Sequence, residues 1–354
     1  MTQNKASRLL LAKNRAGAQT LVFPSRPAVA SFAAIVGDME GAGNFGEQYD
    51  QVLEDDLWGE ESWELAERKM FEQAVRTALS KEQLPEDWVE CLLGGDLLNQ
   101  IISANFAARQ LQMPFLGLYG ACSTMAETLL TASALISGGF VSCAACAVSS
   151  HFSTAERQYR FPLEMGTQRT PTAQRTVTGA GCTILVSEGS PCAKPVVLTH
   201  GTIGKVVDLG VTDANNMGAA MAPAAADTIC THLSDTGRTL ADYDLVVTGD
   251  LGSLGSQLTR ELCLSKGVDL GSKYFDCGER IFTAEQDVKA GGSGCGCSAV
   301  VLNSYLLSEL IRGTFRRVLF LATGALLSPD SSQQGESIPG VAHAVVLEHC
   351  GKGN

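Results

Sequence analysis

The chain has 354 residues, 45% hydrophobic and 18% charged, enough apolar material for two domains with substantial cores. Its formal net charge of -12 argues against nucleic acid and against simple adhesion to an anionic lipid surface. Residues 1–20 are polar and basic with only Leu9-Leu10-Leu11 apolar, so no secretory signal is read there and the segment is expected to fray.

In chain order, Met39 to Glu61 is acidic and Gly-rich with Trp58, and is expected to form a surface loop or flap. A helix follows, with Ala66, Met70, Phe71, Ala74, Val75, Ala78 and Leu79 on one apolar face. Trp88 to Asp96 and Met113 to Tyr119 read as strands, the second short and buried. Next comes Gly120-Ala121-Cys122-Ser123-Thr124, a cysteine where a strand stops and the small-residue helix Met125 to Ser137 starts. A thiol there sits in the positive field of a helix N-terminus, which favours thiolate. The same elbow also makes an anion pocket from free backbone N–H groups, and the sequence leaves both uses open.

The charge-free run Thr128 to Ser150 is long enough to span a bilayer, but Gly138-Gly139 breaks it. A buried helix, a turn and a strand over Val141 to Val148 explain it better. Ser190-Pro191-Cys192-Ala193-Lys194-Pro195 marks the expected division into halves 1–194 and 195–354. The second half opens with a helix in which Pro223 takes a first-turn position and Ala225, Ile229 and Leu233 share a face.

The two halves repeat one another. Trp88 to Asp96 is echoed by Asp242 to Asp250, and the Cys122 elbow by Gly291 to Ser298. Phe140 to Ser149 is echoed by Arg317 to Gly324, and Val177 to Val186 by Ile338 to Leu347, in the same order. Alternating strands and helices in each half predict an α/β fold with central sheets sandwiched by helices and a site where the halves meet. The twelve cysteines lie mostly inside apolar segments, as small buried hydrophobes do in a reducing compartment. Cys143-x-x-Cys146 and Cys295-x-Cys297 lack the further ligands a zinc site needs.

Two similar halves with a cysteine elbow in the first resemble the thiolase-like superfamily of thiolases and ketoacyl-ACP synthases. Six segments carry a closer resemblance to one branch, the stage V sporulation protein AD (SpoVAD) family of spore-forming Firmicutes. They are Gly95–Gln100, Gly120–Thr124, Thr154–Gln158, Met221–Thr228, Ala290–Cys295 and Thr323–Pro329. The resemblance implies a thiolase-like fold, a homodimer, and binding of dipicolinic acid. It also implies membership of the SpoVA assembly, which moves that compound in sporulation and germination. Other SpoVA membrane subunits would then be partners, with the chain peripheral at the spore inner membrane.

Acyl transfer in this superfamily needs a His with a second His or an Asn to activate the thiol and hold the oxyanion. At the matching places the chain has Asp250-Leu251-Gly252-Ser253 and the loop Gly291 to Ser298, without His or Asn. The expected role is therefore non-catalytic, with Cys122, Ser123 and Thr124 kept as an anion-binding helix N-terminus and no cofactor. The alternatives are an acyltransferase using Cys122 with Ser293 or His343, and a structural scaffold. His343 falls inside a strand, and His232, His349 and His200 read as structural or remote.

For a small dianion, the segment after the strand Phe140 to Ser149 offers His151, Arg157, Arg160, Arg169 and Arg175, of which His151 is the leading candidate. Each arginine alone is better explained by pairing with Glu156, Glu164 or solvent than by a ligand contact. Asp96, Asn99 and Asp250 occupy strand ends at the junction of the halves, where carboxylates would repel a free dianion but could receive its calcium chelate.

Overall fold

The computed structural model describes residues 12–159 and 169–351. Its first-half strands are β1 (Ala28–Val36), β2 (Cys91–Gly95), β3 (Phe115–Gly117), β4 (Cys143–Ser150) and β5 (Gly179–Val186). Those of the second half are β6 (Val196–Thr202), β7 (Leu245–Thr248), β8 (Tyr274–Asp276), β9 (Arg317–Ala325) and β10 (Gly340–His349). Pairing runs β8-β7-β9-β10-β6-β1-β5-β4-β2-β3, so each half has the same order reflected about the β6–β1 contact. In both halves the outer strands pair in parallel and the inner ones antiparallel.

Helices complete the layers. The long helix α1 (Trp63–Lys81) is capped by Ser62, whose Oγ accepts from the Leu65 N–H at 3.4 Å. Its predicted apolar face is buried against β1, β4 and β5. Fully buried Met70 and Phe71 each contribute about 1.5–3 kcal/mol of apolar transfer. The same face also buries Glu67, which apolar periodicity does not reveal. Helix α2 (Ile102–Leu111) packs beside α1. The two elbow helices, α3 (Thr124–Ser137) and α4 (Cys295–Val301), lie between the halves: α3 touches β2 and β4 but also β9 and β10, while α4 touches β1, β4 and β5. Burial between the two halves accounts for the charge-free run, and no described helix is long and apolar enough to cross a membrane.

Four local expectations are corrected. Strand β3 is the sheet's edge and half exposed, with Leu116 45% exposed, because its outer side has no neighbour. Residues 39–61 are a surface loop pinned to the body rather than a free flap: residues 54–57 are exposed, but the first part is anchored. Glu40, Phe45, Tyr49 and Leu53 are buried, and Gly46 has no room for a Cβ, which would meet the Gly41 carbonyl at 2.0 Å. The second-half helix runs Met217–Thr236 from an Asn216 cap, so Pro223 is in its interior rather than its first turn. Of the N-terminal segment, residues 15–22 are paired rather than frayed. Thr20 to Val22 pair with β6, and Asp235 accepts from the N–H groups of Ala18, Gln19 and Thr20 at 2.8–3.0 Å.

Candidate functional site

The elbow follows edge strand β3. Ala121 takes φ +50°, a left-handed conformation uncommon for a residue with a Cβ, and this turns Cys122 to the start of α3. Strand β9 comes against the turn at Gly324, where an added Cβ would sit 2.4 Å from the Gly120 carbonyl oxygen. The second half thus closes on the first at the cysteine, through a contact that only glycine permits.

Asp250, just past β7, meets the thiol. The Cys122 Sγ–H donates to its carboxylate. The same carboxylate accepts from Thr323 Oγ1 at 2.7 Å, the Gly294 N–H at 2.9 Å and Ser293 Oγ at 3.2 Å. Burial raises the Asp250 pKa to about 6 against these four donors. It is therefore mostly ionised at pH 7.

Burial first, then the Asp250 charge and the neighbouring Cys295, raises the Cys122 pKa well above the usual 9.0. The expectation of a thiolate is thus reversed, since desolvation and a buried carboxylate outweigh the helix dipole. Asp250 titrates well below such a thiol, so proton transfer from Cys122 to it is unfavourable. The N–H groups expected to be free are also spent: Ser123 N donates to the Gly120 carbonyl at 3.0 Å and Thr124 N to that of Ala121 at 3.3 Å. Their hydroxyls donate to the same two carbonyls, at 2.6 and 2.7 Å.

A small pocket of about 40 Å³ opens above the elbow. Leu97, Ala155, Met217, Ala325 and Leu327 make its apolar wall, and Cys122, Tyr159, Thr176 and Ser293 bring polar atoms to it. Among the described lining residues none carries a formal charge, so Asp250 acts from beneath, through Ser293 and Cys122. The sequence signals for this wall were the segments after β2 and β9, Gly95 to Gln100 and Thr323 to Pro329. Met217 carried no signal.

The other candidates go elsewhere. His151 is buried, with Nε2 2.7 Å from the Asp56 carbonyl oxygen and Nδ1 accepting from the Ser153 N–H at 3.1 Å. Burial lowers its pKa, so the ring is neutral and holds the segment before α1. Arg157 pairs with Glu64 and lies over Trp63, Arg169 pairs with Glu156 at 3.0 Å, and Arg175 lies 3.8 Å from the Phe152 ring centre. Arg160 and Glu164 fall outside the described residues. Asp96 accepts from the N–H groups of Leu98 and Ala104, both at 2.7 Å, while Asn99 is exposed and its N–H donates to Gln158. Asp96 and Asp250 are both committed to internal donors, and no three His, Cys, Asp or Glu side chains converge as a cation site among the described residues. His343 lies in β10 with Nδ1 accepting from the Gly204 N–H, and His232 is buried between Thr202 and Tyr243.

The family profile of stage V sporulation protein AD matches residues 17–348. Stage V sporulation protein AD of Bacillus subtilis is 48% identical over 335 residues, covering 95% of this chain and 98% of that protein. The chain belongs to the SpoVAD family. Solved structures with the same fold include human mitochondrial 3-ketoacyl-CoA thiolase in complex with CoA, 15% identical with a TM-score of 0.59, covering 93% of this chain and 99% of that one. Another is acetamide-bound OleA of Xanthomonas campestris, 14% identical with a TM-score of 0.60, covering 92% and 100%. A third is 3-oxoacyl-[acyl-carrier-protein] synthase III of Aquifex aeolicus, 13% identical with a TM-score of 0.56, covering 91% and 99%. In this SpoVAD-family chain, which shares the overall fold of those structures, the elbow cysteine faces a carboxylate.

Proposed function

We propose that this chain is a non-catalytic ligand-binding subunit whose elbow pocket takes dipicolinic acid within the SpoVA assembly, at the spore inner membrane. Homodimer formation and contact with SpoVA membrane subunits belong to the same proposal. Family membership supports the sporulation role. The observation that carries the non-catalytic reading is Asp250, which holds the Cys122 thiol protonated and uses up the Gly294 N–H and Ser293 hydroxyl near it. The pocket's apolar wall suits the faces of a flat aromatic ring, and Thr176 offers a hydroxyl to its polar edge. Calcium would enter only with the ligand, offsetting the Asp250 charge below it.

Calorimetric titration with dipicolinate, with and without calcium, tests this, with isophthalate as the control that lacks the pyridine nitrogen. Saturable binding preferring dipicolinate, weakened in Cys122→Ala and at least tenfold in Leu327→Trp, which fills the pocket mouth, is the expected result. Absence of binding, together with transfer of an acyl group from acyl-CoA to Cys122, establishes the acyltransferase alternative instead.

A further inference from the structure

A second cleft, of about 220 Å³, lies on the outer surface between α1 and α2. Ile102, Ser103, Phe106 and Arg109 line it from α2, and Leu65 and Arg68 from α1. The spacing on α2 is that of one helix face. Two features distinguish this cleft from an ordinary surface groove.

First, buried polar atoms in it lack partners. Ser103 is 2% exposed and its Oγ makes no hydrogen bond, and neither does the buried Nε of Arg68. Buried hydroxyls and guanidinium N–H groups are nearly always satisfied, so two orphans in one cleft call for an external acceptor. Second, among the described residues neither Arg68 nor Arg109 has an ion-pair partner, in a chain with 38 acidic against 26 basic residues. The carboxylate in the lining, Glu64, is taken by Arg157. Arg109 instead lies 4.6 Å from the Phe106 ring centre, and Phe106 and Ile102 are 40% and 43% exposed. The residues leading into α2 are strained as well. Gln100 and Ile101 both take positive φ, and Ile101 is β-branched, for which this conformation is an outlier.

We propose that this cleft is a binding site for an organic carboxylate with an apolar body. Its carboxylate accepts from Arg68 Nε and the Ser103 hydroxyl, its body lies along Leu65, Ile102 and Phe106, and Arg109 supplies the second positive charge at the rim. A planar guanidinium suits a carboxylate, and the apolar walls favour an organic acid over free phosphate. The inference does not depend on occupation of the elbow pocket.

The test uses the full chain carrying Leu327→Trp, so that binding at the elbow is removed, with benzoate as probe and inorganic phosphate beside it. Saturable benzoate binding near one per chain is expected, weakened about 10- to 100-fold by Arg68→Gln and less by Arg109→Gln. Arg68→Gln removes an unpaired cation, so its unliganded Tm should not fall. Should that variant fail to fold, Ser103→Ala gives the same reading through the other donor. No saturable binding, or binding indifferent to both Arg68→Gln and Ser103→Ala, overturns the site. Phosphate binding as tight as benzoate overturns the apolar body.

Discussion

At the scale of single residues, thiol chemistry separates the twelve cysteines. Cys122 is 6% exposed and held protonated by burial and Asp250. Cys230, half-buried on α5 (Met217–Thr236), hydrogen-bonds with Cys263 on α6 (Gly252–Ser265). That contact, with help from Lys266, lowers the Cys230 pKa. Peptide mapping after brief iodoacetamide treatment at pH 7 should therefore find Cys230 alkylated well before Cys122. Asp250→Asn removes the buried negative charge beside Cys122 and should raise its alkylation rate at pH 8, by about tenfold for each unit its pKa falls. An unchanged rate would mean that burial alone silences the thiol. Sequence located Cys122 and the missing His and Asn, because both are local statements. It did not show what faces the thiol, because Asp250 arrives through strand pairing far along the chain. Nor did it show that the Ser123 and Thr124 N–H groups are consumed, which depends on the left-handed turn at Ala121.

At the scale of elements, two carboxylates fasten segments rather than bind ligands. Asp96 accepts the N–H groups of Leu98 and Ala104 and so holds the strained entry to α2. Asp96→Ala leaves buried N–H donors unsatisfied and should cost about 1–3 kcal/mol, read as a lower urea midpoint. Asp235 on α5 fixes residues 18–20 beside β6. In Asp235→Ala, hydrogen exchange at Ala18, Gln19 and Thr20 should accelerate while protection within β6 and β10 persists. Loss of protection throughout the second half would mean that the N-terminal pairing is integral to the sheet. The buried face of α1 and three strand correspondences were legible in the sequence, since periodicity gave α1 its buried side and the repeat matched β2, β4 and β5 with β7, β9 and β10. Edge exposure at β3 and the folding-in of residues 39–61 were not. Both follow from neighbours distant in sequence, and the acidic, Gly-rich composition of residues 39–61 suggested solvent where glycines in fact permit close packing.

At the scale of the molecule, buried acids accumulate near the junction of the halves. Glu67, held by Ser149 and Thr154, has its pKa raised to about 8 by burial and by Asp96; burial raises Glu40 and Asp276 to about 7. A carboxyl whose folded pKa lies above its unfolded value contributes stability that is complete below the unfolded pKa. That contribution is lost as pH rises through the folded value. For Glu67 the window runs from 4.5 to about 8. Glu67→Gln should thus be close to neutral at pH 5 and gain on wild type by a few degrees of Tm by pH 9, measured by scanning calorimetry. A constant difference across that range would show that Glu67 stays ionised in the fold.

The proposed elbow holds a buried, protonated Cys122 that does not accept acyl groups. Intact-mass analysis of the full chain after prolonged incubation with acetyl-CoA at pH 8 tests that most directly. No adduct on Cys122 is predicted in wild type. A stoichiometric acetyl adduct that disappears in Cys122→Ala would contradict the account and return the chain to the acyltransferases whose fold it shares.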